Sequence, residues 1–342
     1  MAHGQTQREI QIQTAAWRDA QRAVAEQSAA LIHLWQNTPP DSIIVTGCGS
    51  THYLSMITAY LLQVHTGIPA RAFPASELIF HPEAAYFGKR PLLIAITRSA
   101  TTSETVHAVS QFRESGRGDI VVITCYGDKP LNQLASINIV AEGAQEDGIA
   151  QTQSFSAMLI MAESVARLWG GAQPIGAFST EYDSMVNKLS EIAFAYADPD
   201  RFQRVFFLGS GELYGMACEG MLKMKEMSLT SAEAFHPMEF RHGPKAMVDE
   251  QTLVVGLMHE HGHEVEHSVF AEMAQLGATV VTLGVNPAAS VRLMSDQTPA
   301  PLVVMLPFLQ WLAYHRAVRK GVDPDAPRNL DAVVVLQPGL IS

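Results

Sequence analysis

The sequence predicts an α/β protein of two tandem domains, each a parallel sheet flanked by helices in three αβα layers. Two observations carry this. Short apolar strands alternate with helical segments, and strands that are apolar on both faces belong to a parallel sheet covered on both sides. The alternation then occurs twice: the glycine turn Gly47-Cys48-Gly49 after one strand is echoed by Gly209-Ser210-Gly211 after another. A length of 342 residues suits about two domains of ~150 each.

In chain order, residues 1–40 are assigned to an N-terminal helical segment. The first domain, 41–170, opens with a strand at 42–46 that enters the glycine turn, and a helix follows over roughly 52–65. A second strand at 91–97 leads through a Ser/Thr-rich turn into another helix, and 119–124 is a third strand. The glycine-rich stretch 170–176 marks the joint. The linker, 171–200, contains a helix at about 181–196. The second domain, 201–342, repeats the strands at 204–208, 252–258 and 278–284 and ends in a C-terminal segment.

Apolar residues make up 47% and charged residues 17%, so the chain can bury a sizeable core and is not disordered. A net charge of −11 argues against a nucleic-acid partner, which needs basic patches, but leaves room for a small anionic ligand held by local dipoles. The N-terminal residues are also too few and too weakly basic for a helix-turn-helix domain. Cys48, Cys125 and Cys218 form no CxxC pair and read as reduced, buried thiols of a cytoplasmic protein. The polar N-terminus predicts no signal peptide, and no apolar run approaches the ~20 residues of a membrane span.

The ligand signal of the first half lies at 96–105. This segment sits at the carboxyl end of a strand and opens a helix. Thr101 and Glu104 have capping-box spacing, which sets the predicted helix start. A helix N-terminus offers unpaired N–H groups and partial positive charge. Thr97, Ser99 and Thr102 add hydroxyls and Arg98 adds charge, a set that suits a phosphate monoester. A polar turn with a good N-cap would look the same. The place at a strand end of an open α/β sheet favours the ligand. Dinucleotide binding does not fit: the third glycine of the fingerprint is His52 after the first turn and Tyr214 after the second. No cofactor is implied.

In the second half, Glu219, Lys223 and Glu226 share one face of the helix that follows Gly211. Such a stripe is usually a solvated row of ion pairs. Here the helix begins at a glycine turn on a strand end and leads on to His242. A carboxylate, an amine and an imidazole can together move protons. A lone histidine is more often structural, but its pKa near neutrality suits a shuttle, and Gly243-Pro244 would present it rigidly. His259-Glu260-His261-Gly262-His263 formally matches a zinc signature that needs both outer histidines on one helical turn. The segment follows a strand and contains Gly262, so it reads as a turn, and no metal is predicted.

Taken together, these motifs resemble the SIS (sugar isomerase) family in its double-domain form, with flavodoxin-like sheets, and in particular the isomerase half of glucosamine-6-phosphate synthase. The resemblance rests on Arg8-Glu9-Ile10 and Gln13, the turn 47–51, the loop 97–102, the segment 146–152, and Lys223 to Glu226. It continues through 232–234, 239–244, 306–315, Lys320-Gly321 and 325–330. It implies that Glu226 moves a proton between C1 and C2 of an open-chain sugar phosphate. His242 would assist ring opening with Glu219 supporting it, and Lys223 would stabilise charge or handle protons near C2. Thr97, Arg98, Ser99 and Thr102 would bind the phosphate, with Gly49, Ser50, Thr51, Gln151 and Thr152 lining the sugar. A homodimer with shared active sites is implied, because the family's histidine can come from the partner subunit.

Three departures shape the expected activity. The chain carries no glutaminase domain, so ammonia release from glutamine is not expected. The family's imine-forming lysine follows Asn-Leu by two residues, whereas Asn329-Leu330 is followed by Asp331-Ala332. The loop has Arg98 and Ala100 where the synthase has glutamine and glycine. The expected activity is therefore on an (amino)hexose 6-phosphate: isomerisation coupled to deamination or to deglycation of a fructosamine 6-phosphate. Simple hexose-phosphate isomerisation, glutamine-independent synthase-like isomerisation and a non-catalytic phosphosugar sensor are the alternatives.

Overall fold

The computed structural model describes residues 4–260, 262 and 264–336. The chain divides into two compact units. One holds Gln13–Glu146, Gln153–Ala177 and the described residues from Asp331 onward. The other holds the described residues up to Ile12, Asp147–Thr152 and those of Phe178–Leu330. They are called the N-terminal and C-terminal units below. The first helix, α1 (Gln5–Asn37), begins in the C-terminal unit and ends in the N-terminal one.

The N-terminal unit is built on β1 (Ser42–Gly47), β2 (Ala70–Pro74), β3 (Pro91–Thr97), β4 (Ile120–Thr124) and β5 (Ile137–Val140). All are parallel, in the order β2-β1-β3-β4-β5. Every residue of β1, β3 and β4 is buried, because helices cover both faces, and the strands are apolar apart from Ser42, Thr46, Thr97 and Thr124 at their ends. The edge strands β2 and β5 are only partly buried. The flanking helices are α2 (Ser50–Thr66), the short α3 (Ala75–Phe80) and α4 (Pro82–Ala85), α5 (Ser103–Glu114) and α6 (Gln153–Trp169). Ile44, Leu93 and Val122 from the sheet meet Leu78, Val109 and Phe112 from the helices in one buried core. The helix predicted after the first glycine turn starts at Ser50, directly on the turn.

The C-terminal unit contains α7 (Glu181–Ala195), β6 (Arg204–Leu208), α8 (Glu212–Ser228), β7 (Ala232–Phe235), α9 (Pro237–Phe240) and β8 (Thr252–Leu257). After these come α10 (Glu264–Gln275), β9 (Thr279–Gly284), β10 (Val291–Arg292) and α11 (Leu306–Arg319). Its sheet is again parallel and five-stranded, in the order β10-β9-β8-β6-β7. Read from β7, that is the order of the N-terminal sheet, so the repeat seen in the sequence is a repeat of topology. Among the described residues no helix is long and apolar enough to cross a membrane.

Candidate functional site

In the N-terminal unit the predicted ligand residues gather at the carboxyl ends of β1 and β3. The sheet order makes this pair a switch point, since the chain proceeds outward from it in opposite directions, and such crevices hold ligands in open α/β sheets. Gly49 has φ 58° and ψ −127°, a backbone that essentially only glycine adopts. A Cβ on Gly47 would lie 2.6 Å from the Thr51 carbonyl oxygen, so the turn excludes larger residues there as well. Thr51 closes the turn itself. Its Oγ1 accepts from the Cys48 N–H at 2.9 Å and its hydroxyl donates to the Cys48 carbonyl at 2.9 Å. Ser50, beside it, is buried.

The loop between β3 and α5 departs from the predicted capping box. The N-cap is Thr102, not Thr101, and no side chain caps the helix. The reason is local. Ala100 adopts the left-handed conformation with φ 54°, and the Ser99 Oγ accepts from the Thr101 N–H at 3.3 Å. The chain thereby spends one more residue turning before it winds into helix. The Thr97 and Thr102 hydroxyls make no hydrogen bond among the described residues. Arg98 is 7% exposed. Its Nη1 lies 3.2 Å from Glu146 Oε1 and its Nη2 donates to the Ala332 carbonyl at 2.6 Å. Glu146 in turn accepts from the Ser154 N–H at 3.2 Å and from the Ser154 hydroxyl, at the start of α6. The cation that the sequence offers to a ligand is thus held by a carboxylate and a main-chain carbonyl.

The C-terminal unit repeats the glycine turn. Gly211 has φ 57° and ψ −131°, and a Cβ on Gly209 would lie 2.3 Å from the Leu213 carbonyl oxygen. Helix α8 starts there and carries the Glu-Lys-Glu stripe inward. Lys223 Nζ sits 3.3 Å from Glu219 Oε1 and 2.5 Å from Glu226 Oε2. The Lys223 and Glu219 side chains are 1% and 2% exposed, whereas that of Glu226 is 20% exposed. A buried ammonium between two carboxylates offsets its desolvation through those contacts. Glu226 is the member of the cluster that solvent, and so a solute, can reach.

His242 stands apart from this cluster. It lies in the turn after α9, where its N–H donates to the Glu239 carbonyl at 2.9 Å and Gly243 follows at φ 124°. Its side chain is exposed, and among the described residues it makes no hydrogen bond to Glu219, Lys223 or Glu226. Gln151 and Thr152 belong to the same unit as α8. The Gln151 Oε1 is buried without a hydrogen bond among the described residues. The Thr152 carbonyl accepts from Gln310 Nε2 at 3.1 Å. Glu9 fixes the beginning of that segment, its Oε1 accepting from the Asp147 and Gly148 N–H groups at 2.7 and 3.1 Å. The sequence assigned Glu9 and Gln310 no role of their own. Little in the sequence marks Glu9, since its helix neighbours Gln5, Thr6 and Gln13 are polar as well.

His259 follows β8 in a turn. Its Nε2 lies 3.1 Å from the Ser210 carbonyl oxygen and its Nδ1 3.4 Å from Glu212 Oε1. The hydrogen bond to Glu212 raises its pKa above the ordinary histidine value. His261 and His263 of the zinc-like string lie outside the described residues. Among the described residues no group of three or more His, Cys, Asp or Glu side chains could hold a metal ion. The three thiols are free. Burial raises the pKa of each, that of Cys218 to about 11, so none is poised as a nucleophile.

Comparison with known proteins supplies the family. The SIS domain profile matches residues 38–168 and 201–298. The chain belongs to the SIS domain family. Its SIS relatives include the glutamine–fructose-6-phosphate aminotransferase (isomerizing) of Pyrococcus horikoshii, 30% identical over 318 residues that cover 87% of this chain and 52% of that protein. The corresponding protein of Caulobacter vibrioides is 29% identical with the same coverage. The chain thus spans about half the length of the curated relatives it matches. Among solved structures, glucosamine-6-phosphate deaminase of Thermotoga maritima matches with a TM-score of 0.76 and 26% identity, over 93% of this chain and 100% of that one. Tagatose-6-phosphate ketose/aldose isomerase of Escherichia coli matches with a TM-score of 0.84 and 24% identity, over 98% and 96%, and shows the shared SIS fold.

Proposed function

We propose that this SIS protein is a cytoplasmic enzyme, active as a homodimer, that processes a hexose or aminohexose 6-phosphate. Its reaction would couple aldose–ketose isomerisation to loss of an amine or ammonia. The observation that carries the reading is the α8 cluster, in which buried Lys223 joins Glu219 to the solvent-accessible Glu226. Moving a proton between adjacent sugar carbons requires one base that reaches both. Glu226 takes that role, removing the proton from one carbon and returning it to the other. Lys223, enclosed as it is, orients Glu226 and offsets its charge. Glu219 holds Lys223 from the other side. His242, exposed on its turn, assists ring opening. The hydroxyls of Thr97 and Thr102, which make no hydrogen bond among the described residues, take the phosphate with Ser99 and the N-terminus of α5. Gly49, Ser50, Thr51, Gln151 and Thr152 line the sugar, and the buried Gln151 Oε1 is an acceptor suited to a sugar hydroxyl.

Ala332 stands where the family resemblance expects the imine-forming lysine. A substrate that already carries nitrogen at C1 or C2 needs no such lysine, which favours deamination or deglycation over synthesis. The test is incubation with fructose 6-phosphate, glucosamine 6-phosphate and fructosamine 6-phosphates, following product sugar and released amine. Turnover of a nitrogen-bearing substrate, reduced about 10²- to 10⁴-fold by Glu226→Gln, is expected. Turnover of fructose 6-phosphate alone would leave plain isomerisation, and saturable binding without turnover would make the protein a sensor.

A further inference from the structure

The loop between β3 and α5 is bonded to a segment more than two hundred residues away in sequence. Residues 331–336 form neither helix nor strand, and Val335 is 74% exposed. Hydrogen bonds tie this segment to the loop and to the first residue of α5. Arg98 Nη2 donates to the Ala332 carbonyl at 2.6 Å, the Ser103 N–H to the Val334 carbonyl at 3.4 Å, and the Leu336 N–H to Ser103 Oγ at 3.1 Å. The first has a charged donor, which makes it stronger than the two bonds to Ser103.

That donor is held in place before it meets the segment. Glu146, its side chain fully buried, pairs with Arg98 Nη1 and is itself fixed at the start of α6 by Ser154. The Arg98 carbonyl accepts from the Thr124 hydroxyl at 3.0 Å and the Cys125 N–H at 3.2 Å. A planar guanidinium anchored on one edge presents its remaining N–H groups in a fixed direction.

We propose that Arg98 is a positioning residue rather than a phosphate ligand. Anchored by Glu146, it fastens segment 331–336 alongside the loop and the N-terminus of α5, where the proposed phosphate binds, and so orders the wall of that site. The proposal rests on the functional reading for the location of the phosphate. The fastening itself does not depend on it.

The experiment compares the full chain with two variants. Arg98→Gln combined with Glu146→Gln removes both buried charges and leaves no carboxylate unpaired. Ser103→Ala removes only the bond to Leu336. Amide hydrogen exchange is followed at Ser103 and Leu336, the two N–H groups that bond across the contact, and inorganic phosphate is titrated calorimetrically. In the double variant, exchange at both amides is expected to rise tenfold or more while phosphate affinity changes less than threefold. For any substrate that turns over, kcat should fall more than KM rises. Ser103→Ala should speed exchange at Leu336 alone. Unchanged exchange in the double variant, a phosphate affinity reduced threefold or more, or equal acceleration of the residue-103 amide by Ser103→Ala would each overturn the proposal. The exchange measurement needs no turnover, so failure of the proposed reaction leaves it interpretable.

Discussion

Helices α2 and α8 are both 17 residues long and leave the same kind of turn, at Gly49 with φ 58° and at Gly211 with φ 57°. Counted from those glycines, Glu219, Lys223 and Glu226 of α8 correspond to Ile57, Leu61 and Val64 of α2. Ile57 and Leu61 are buried and Val64 is 63% exposed, the same gradient from inside to outside that the charged residues follow. One backbone device has been used twice, once with an apolar stripe and once with a charged one. The charges on α8 are therefore not required for such a helix to pack, since its counterpart does so without them. What they add is chemistry. The loops diverge in the same manner. Thr97 to Thr102 offers hydroxyls at the N-terminal switch point, whereas His259 with Glu212 and Glu266 occupies the turn in the C-terminal unit, where carboxylates disfavour an anion.

The largest effect should come from making α8 resemble α2 one residue at a time. Lys223→Leu leaves Glu219 buried without its cation and should cost about 3–5 kcal/mol of stability in urea unfolding. Adding Glu219→Ile should recover most of that, because the pair of substitutions rebuilds the apolar stripe, while turnover stays abolished. A double variant as unstable as the single one would show that the two helices are not interchangeable in packing. A smaller effect is expected at the turns. A Cβ on Gly49 meets nothing within 4 Å, so Gly49→Ala costs only backbone strain, about 1–3 kcal/mol. Gly211→Ala should cost a similar amount. Only Gly49→Ala should also raise KM for the sugar phosphate, with inorganic phosphate binding little changed, and an equal rise in KM for both variants would contradict the division of labour between the turns.

The smallest effect concerns pH. Glu212, and secondarily Glu266, raise the His259 pKa above the ordinary value of about 6.5. The protonated histidine thus stabilises the fold fully below about pH 6.5, and that contribution is lost as pH rises through the folded value. Glu212→Gln should flatten the decline of the thermal midpoint between pH 6 and 8. A decline that persists unchanged would place its origin elsewhere.

Much of this architecture was legible because its signals are local. Apolar strands ending in Gly47-Cys48-Gly49 and Gly209-Ser210-Gly211 announce parallel sheets and their repeat within a few residues each. The spacing of Glu219, Lys223 and Glu226 placed them on one face, but whether that face meets solvent or protein depends on α11, which packs against α8 from far along the chain. Arg98 read as a free cation because its partners, Glu146 and the Ala332 carbonyl, are distant in sequence. The misplaced cap has the same origin at shorter range. Capping-box spacing takes no account of an alanine in the left-handed region, and Ala100 moves the helix start by one residue.

The assignment of segments to units has a consequence for how the protein comes to exist. The N-terminal unit includes the described residues from Asp331 onward, and the C-terminal unit includes the described residues up to Ile12 together with Asp147–Thr152. Neither is a continuous stretch of chain. On a ribosome that makes about 5–20 residues per second, the N-terminal unit waits roughly 10–40 seconds after its sheet is synthesised before its last segment emerges. During that interval the loop with Arg98 and Ser103 is made but lacks the partners that complete it. Cutting the gene at the glycine-rich joint would divide two folding units, not separate them.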